Sequence, residues 1–257
     1  MAAAVFHCRR VEFRQMKDYK KVVAERYDVE QDTNNSIYAP THPIGKYTRE
    51  VLFGGMRDFI GWYTAARGDA GEKRLLDVGC GGGEMVAFFT GNGFKPELST
   101  GVDLSETRIK RARQLLPDAT FVCDDGVDFK LSQRFDLITT FDLLSHLPTK
   151  DELLRALTNI HLHLESDGFL LWYDIYSEDH FASPENADSW GFSRQQMTDL
   201  AQEAGFEPVF YRSFFKLIFN RYHSAYQVRR FPKFVVKLME KVLPGVPGNG
   251  MLVLRKR

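Results

Sequence analysis

Between Leu75 and Gly83 an apolar run, Leu75-Leu76-Asp77-Val78, gives way to a stretch in which four of five residues are glycine: Gly79, Cys80, Gly81, Gly82 and Gly83. Glycines at 79, 81 and 83 permit a tight turn and close backbone approach, because no Cβ stands in the way. Asp77 sits at the end of this run. Asp103 ends the next apolar run, twenty residues beyond the last glycine. A strand that enters a glycine loop and then a helix, followed by a second strand ending in an acid, restricts the chain to an alternating α/β layout.

The rest of the chain follows that alternation. Strands are expected at Arg74–Val78, Ser99–Asp103, Thr120–Cys123, Phe135–Phe141, Phe169–Tyr173, Phe206–Phe215 and Met251–Leu254. Helical patterns fall at 84–92, 106–115, 150–164 and 195–204. Near-continuous apolar strands separated by helices predict a mostly parallel sheet covered on both faces. Before it, apolar residues at helical spacing over 11–26 and a helix over 46–66 form an N-terminal helical segment, with turn chemistry between them at 32–43. The reading is therefore a helical cap at 1–70 and an α/β body at 71–257, with 214–247 as an insertion before the last strand.

At 257 residues, 44% apolar and 26% charged, the chain suits a globular body with a sizeable core. No apolar run approaches the roughly 18 residues that span a bilayer. The first residues place their charges after a very short apolar stretch, unlike a secretory signal. Cys8, Cys80 and Cys123 show no metal-binding or disulfide spacing, so a reducing cytoplasm is the expected compartment. Net charge is zero but unevenly placed: residues 212–257 hold eleven bases against the single acid Glu240, net +10, which leaves −10 on residues 1–211.

A dinucleotide fingerprint beginning at Gly79 requires glycine at 84, where the chain has Glu84. A carboxylate there would also repel a pyrophosphate at the helix N-terminus. Asp77 and Glu84 instead suit a nucleoside with a cationic tail, which is the description of S-adenosylmethionine (SAM). Asp103 holds the position from which a carboxylate accepts both ribose hydroxyls, a role it would serve equally for NAD.

Over residues 74–175 the sequence resembles the class I SAM-dependent methyltransferases. Their first motif matches Asp77-Val78-Gly79-Cys80-Gly81-Gly82-Gly83, and their ribose-binding acid matches Asp103 in Gly101-Val102-Asp103-Leu104-Ser105. Their adenine-side motif matches Phe121 to Gly126, with Asp125 or Asp124 on the adenine amino group and Gly126 as the backbone contact. The block from Phe135 through Phe141 to Pro148 looks like the fourth strand and the loop lining the sulfonium; Glu165-Ser166-Asp167-Gly168 departs from the family's usual turn before strand five. The resemblance implies a Rossmann-like, doubly wound sheet of seven strands with one antiparallel edge strand, here Met251–Leu254. It also implies SAM as cofactor, held by Asp77, Gly79, Cys80, Gly81, Gly83, Asp103, Leu104, Asp125, Gly126 and Phe141. The segment Ile37–Tyr47 and Trp172-Tyr173-Asp174 resemble a bacterial group associated with surface-glycan and secondary-metabolite pathways.

A hydroxyl or amine acceptor must lose a proton, so a base is required near the sulfonium. His146, Asp142 and Asp174 are the candidates at strand ends, with an imidazole that only fixes its loop as the competing reading for His146. Candidate acceptor contacts are His42, Tyr47, Tyr173, Arg229 and Arg230. His161 and His163 are two apart on a helix and face different ways, so no metal is expected. The basic, aromatic stretch from Phe214 to Leu243 reads as a lid over an anionic acceptor, as a contact for an anionic membrane, as a tRNA surface, or as an amphipathic helix on the sheet. The function expected is methyl transfer to a hydroxyl, and in second place an amine, of a small-molecule or glycan-type acceptor. A tRNA base methyltransferase and a non-catalytic SAM-binding regulator are the alternatives; whole-chain neutrality counts against nucleic acid.

Overall fold

The computed structural model describes residues 43–177, 191–215, 232–242 and 247–257. The helix expected over 11–26, the loop at 32–36, Cys8, His42, Arg229 and Arg230 lie outside them. Helix α1 spans Pro43–Arg67. There follow β1 (Leu75–Val78), α2 (Glu84–Thr90), β2 (Ser99–Asp103), α3 (Glu106–Leu115), β3 (Thr120–Cys123) and β4 (Phe135–Phe141). The remainder is α4 (Lys150–His163), β5 (Leu164–Ile175), α5 (Arg194–Glu203), β6 (Phe206–Phe214), α6 (Lys233–Val242) and β7 (Asn249–Lys256). Among the described residues seven strands form one sheet in the order β3-β2-β1-β4-β5-β7-β6.

β1 to β5 pair in parallel, and β7 runs antiparallel between β5 and β6. This corrects one expectation. Met251–Leu254 is antiparallel as foreseen, but it lies inside the sheet and β6 forms the edge. The reason is chemical: Met251, Leu252, Val253 and Leu254 are all buried, whereas β6 carries Glu207, Arg212 and Ser213, half-buried or exposed residues that tolerate a solvated rim.

The sheet carries a core on each face. On one side Leu76, Ile138, Leu170, Trp172 and Leu252 pack against Leu153, Leu157 and Ile160 of α4 and Met197 and Leu200 of α5. On the other, Leu75, Leu137, Leu171 and Val253 meet Met56, Phe59, Ile60 and Tyr63 of α1 and Phe89 of α2. The buried face of α1 is thus part of the sheet's own core. Helix starts are fixed locally: Ser105 accepts from Arg108 N, Thr149 from Glu152 N, and Ser193 forms a reciprocal cap with Gln196.

Strand order reverses between β1 and β4, so the loops after these two strands diverge and leave a crevice at the sheet's C-terminal edge. Gly101 in β2 supports the loop on its β1 side. A Cβ there would lie 2.7 Å from both Cys80 Sγ and the Phe121 ring. Gly101→Ala should therefore destabilise the fold by roughly 1–3 kcal/mol through overpacking, read as a lower denaturant midpoint; an unchanged midpoint would show that Cys80 and Phe121 yield freely.

Candidate cofactor and active site

The loop after β1 is held onto β2 from above. Gly79 N and Cys80 N both donate to Val102 O, at 2.7 and 2.9 Å, and Gly83 N donates to Cys80 O at 2.9 Å. Gly79 and Gly83 have φ of 78° and 86°, conformations that cost an L-residue strain. Gly83 is also the N-cap of α2, so the turn leads directly into the helix. Leu143, from the loop after β4, fills the space above the glycines. Its side chain is 3.0–3.2 Å from where a Gly79 Cβ would sit and 3.3 Å from where a Gly126 Cβ would sit. Leu143 was not singled out in the sequence, since nothing local marks it.

Asp103 is almost fully buried. Its Oδ2 accepts from Gly81 N and its Oδ1 from Ser105 N, both at 2.9 Å. A carboxylate oxygen has two acceptor sites, so these bonds orient the group and leave capacity for two hydroxyls. The neighbouring Leu104 exposes 39% of its surface, an apolar side chain left beside the acid.

Asp77, in β1 just before the loop, is buried as well. Thr139 Oγ1 donates to its Oδ1 at 2.7 Å. Burial, offset by that hydrogen bond and reinforced by the charges of Asp103 and Glu84, raises its pKa to about 7. Burial, with the charges of Asp77, Asp103 and Glu84, holds the Cys80 thiol well above the usual range, so it stays neutral.

After β3 the two adjacent acids separate in role. Asp124 spends one oxygen on Asp125 N (2.8 Å) and the other on Lys130 N (3.3 Å), which makes it a turn former. Asp125 Oδ1 accepts from Val127 N at 3.0 Å. Gly126 lies close enough to Val78 and Leu143 that a Cβ would crowd both at 3.3 Å.

The ends of β4 and β5 bring together the three candidate proton acceptors. Asp142 has φ 49°, a left-handed conformation that is uncommon outside glycine and is found often at functional turns. Its N donates to Tyr173 O at 3.0 Å, and Asn249 Nδ2 donates to its Oδ1 at 3.3 Å. Solvent reaches Asp142, yet the protein around it and the Asp174 carboxyl behind it push its pKa well up. Asp174 is fully buried and accepts from Ser145 N (3.0 Å), Trp172 Nε1 (3.2 Å) and Ile175 N (3.0 Å). Burial raises its pKa; the bond from Ser145, the charge of His146 and the bond from Trp172 oppose that rise. Asp174 therefore stands behind the 144–146 turn rather than on the cleft surface. His146 is partly exposed and its N donates to Leu143 O at 3.0 Å, closing a single 3₁₀ turn.

Around this edge Phe141 packs on Tyr173, and Tyr173 on Phe214, with ring centroids 5.7 and 5.5 Å apart. Tyr47 is buried in the second turn of α1. Burial and the charges of Glu240 and Glu50 push its phenol up to about 12, so it can wall a pocket but not take a proton near neutral pH. His163 is committed elsewhere: its Nδ1 faces Asn159 O at 2.8 Å and its Nε2 accepts from Leu131 N at 3.3 Å, which requires the neutral Nδ1–H form. Among the described residues no group of three or more His, Cys, Asp or Glu is placed to hold a metal ion. No described helix is long and apolar enough to cross a membrane.

Comparison with known proteins agrees with this geometry. A family profile described as a methyltransferase domain matches residues 52–210. An amino-sugar nucleotide enzyme of Streptomyces venezuelae, dTDP-3-amino-3,4,6-trideoxy-alpha-D-glucopyranose N,N-dimethyltransferase, is 34% identical over 117 residues, 45% of this chain and 46% of that one. The ubiquinone biosynthesis O-methyltransferase of Coxiella burnetii is 36% identical over 88 residues, 32% of this chain and 36% of that one. The chain thus spans half or less of the length of these two curated relatives. The crystal structure of magnesium protoporphyrin IX methyltransferase from Synechocystis PCC 6803 with bound SAM shares the fold at TM-score 0.64 and 15% identity, covering 95% of this chain and 99% of that one. The glycine loop, the two strand-end acids and the profile match across most of the sheet place this chain in the methyltransferase-domain family, among the class I proteins whose cofactor is SAM.

Proposed function

We propose that this protein transfers the methyl group of SAM to a hydroxyl, and in second place to an amine, of a small-molecule or glycan-type acceptor. The observation that carries the reading is the pair of buried strand-end acids flanking the glycine loop. Asp103 is oriented by two loop N–H groups with acceptor capacity left for ribose hydroxyls, and Asp77 is held ready to meet a cation. On this reading Leu104 flanks the adenine and Asp125 meets its amino group beside the Gly126 backbone. Gly79, Cys80, Gly81 and Gly83 let the methionine end approach the backbone, and Phe141 borders the sulfonium.

SAM supplies a methyl group already activated by its positive sulfur. What remains for the protein is to align the acceptor, exclude water and remove one proton. His146 is the base in this proposal. Asp174, tied to Ser145 N, sets the turn that carries it. Asp142 faces the cleft and contributes to the acceptor's surroundings, and Tyr47 and Tyr173 wall the site. His42, Arg229 and Arg230, the remaining acceptor contacts expected from the sequence, lie outside the described residues. The relatives' own names support both acceptor atoms, one being an O-methyltransferase and one an N,N-dimethyltransferase. The free thiols of Cys80 and Cys123 fit a reducing, cytoplasmic setting.

Three expected outcomes test this. His146→Ala should lower kcat by about 100-fold or more with SAM affinity intact; a variant with full turnover returns His146 to a purely structural part. Asp77→Asn keeps an acceptor for Thr139 and removes the buried charge. Because the folded protein retains this proton up to about pH 7 and the unfolded chain loses it near 4, stability from this group is full at low pH and is lost as pH rises between these values. Without ligand, Asp77→Asn should therefore be more stable at about pH 8, by on the order of 1–4 kcal/mol, while binding SAM at least about tenfold more weakly. Equal melting curves at high pH, or wild-type SAM affinity, would contradict the role given to Asp77. The acceptor class itself is tested by supplying methyl-labelled SAM with cell extract fractionated into glycans, lipids, RNA and small metabolites. Label in the glycan or small-metabolite fraction is expected, and label confined to RNA would replace this reading with that of a tRNA methyltransferase.

A further inference from the structure

Asn249 opens β7 and is the one polar side chain among that strand's buried residues, Asn249 to Leu254. Side chains alternate along a strand, so Asn249 shares a face with Met251 and Val253, which pack in the core beneath α1 with Tyr173 and Phe214. Its backbone is paired on both sides, with Ile175 of β5 and Phe214 of β6. The strand therefore does not need an amide at this position to complete its pairing. A buried amide is unfavourable unless it is hydrogen-bonded. The bond that Asn249 makes goes to the site: Nδ2 donates to Asp142 Oδ1 at 3.3 Å.

Both described non-glycine residues with a left-handed backbone are neighbours of Asn249. Asp142, φ 49°, receives its bond, and Phe215, φ 55°, follows the β6 residue that pairs with it. Such conformations persist where surrounding contacts over-determine them, and they cluster at functional sites. Asp142 is held by two contacts from different strands. Its N donates to Tyr173 O of β5, and the β7 amide holds one carboxyl oxygen. Among the described residues no donor reaches the other oxygen, Oδ2, and the residue is exposed.

We propose that Asn249 is a positioning residue for the methyl acceptor: its amide fixes the Asp142 carboxyl so that Oδ2 is left to hydrogen-bond a hydroxyl or amine of the acceptor. The inference rests on the proposed methyl transfer. It adds a second point of contact, apart from the proton that His146 takes. A hydroxyl or neutral amine can both give and take a hydrogen bond, so it meets Oδ2 whether or not that oxygen carries a proton. Ethers and ketones have no hydrogen to give, and an ionised Asp142 discriminates against them. The acceptor class favoured is therefore one with a polar group beside the group to be methylated.

The test uses the full chain, methyl-labelled SAM and the fraction of cell extract that wild type labels, supplied at graded dilution. Asn249→Ala should raise the apparent KM for that fraction about tenfold or more, with kcat changed by less than about twofold. SAM affinity by calorimetry should stay at the wild-type value. Asp142→Ala, at an exposed position, should raise the KM at least as much. Asn249→Ala on top of Asp142→Ala should raise it no further, because the amide acts through the carboxyl. A wild-type KM in either single variant overturns the inference and leaves the reaction standing. So do losses that add in the double variant, or a loss of SAM affinity in Asn249→Ala, each of which gives the amide to the sheet alone. A wild type that labels no fraction refutes the proposed reaction and this inference with it.

Discussion

A carboxyl group kept from water where the strand order turns back sets the terms for the rest of the site. Asp77 has Thr139 Oγ1 as a donor and two other acids nearby, Asp103 and Glu84. An unpaired ion in such a place is expensive, and the protein's answer is to hold the proton until near neutrality. That arrangement is stable without a ligand and changes character when a cation arrives, because the acid can then ionise against an opposite charge. The negative charge of Asp103 and Glu84 that disfavours ionisation of Asp77 is, in the proposed function, what a positively charged cofactor would meet.

Everything around Asp77 serves to keep that edge open at the right width. The glycine turn hangs from Val102 O on β2, and Gly101 leaves room beneath it for Cys80 and Phe121. Leu143 bridges the turn to Gly126, so the loops after β1, β3 and β4 share one apolar contact. Behind β4 and β5, Asp174 gathers three N–H donors from its surroundings, and Asn249 reaches across from β7 to Asp142. This last contact requires β7 to lie inside the sheet, beside β5. The interior position of that strand is therefore part of how the site is built.

Much of this was legible in the chain because it is encoded locally. The glycine turn, Asp77 at one strand end and Asp103 at the next fall within thirty residues and carry their chemistry in their spacing. The alternation of apolar runs with helical patterns located the strands to within a few residues, although β5 begins at Leu164 rather than Phe169. What could not be read were partners distant in sequence: Thr139 for Asp77, Ser145 for Asp174, Asn249 for Asp142 and Leu143 for the glycines. Serine, threonine and asparagine have no pattern that distinguishes a surface role from a bond to a buried acid. The place of β7 was a different kind of miss. The edge position was implied only by the family likeness, whereas Met251-Leu252-Val253-Leu254 has no polar residue for a solvated rim and suits the interior of a sheet.

The central claim is that a cationic nucleoside binds beside a carboxyl that must give up its proton to receive it. Calorimetric titration with SAM at about pH 6, repeated in buffers of different ionisation heat, measures this directly. The account predicts binding accompanied by release of close to one proton, falling toward zero above about pH 8 as Asp77 ionises beforehand. Binding without proton release, or no binding of SAM at all, would contradict it.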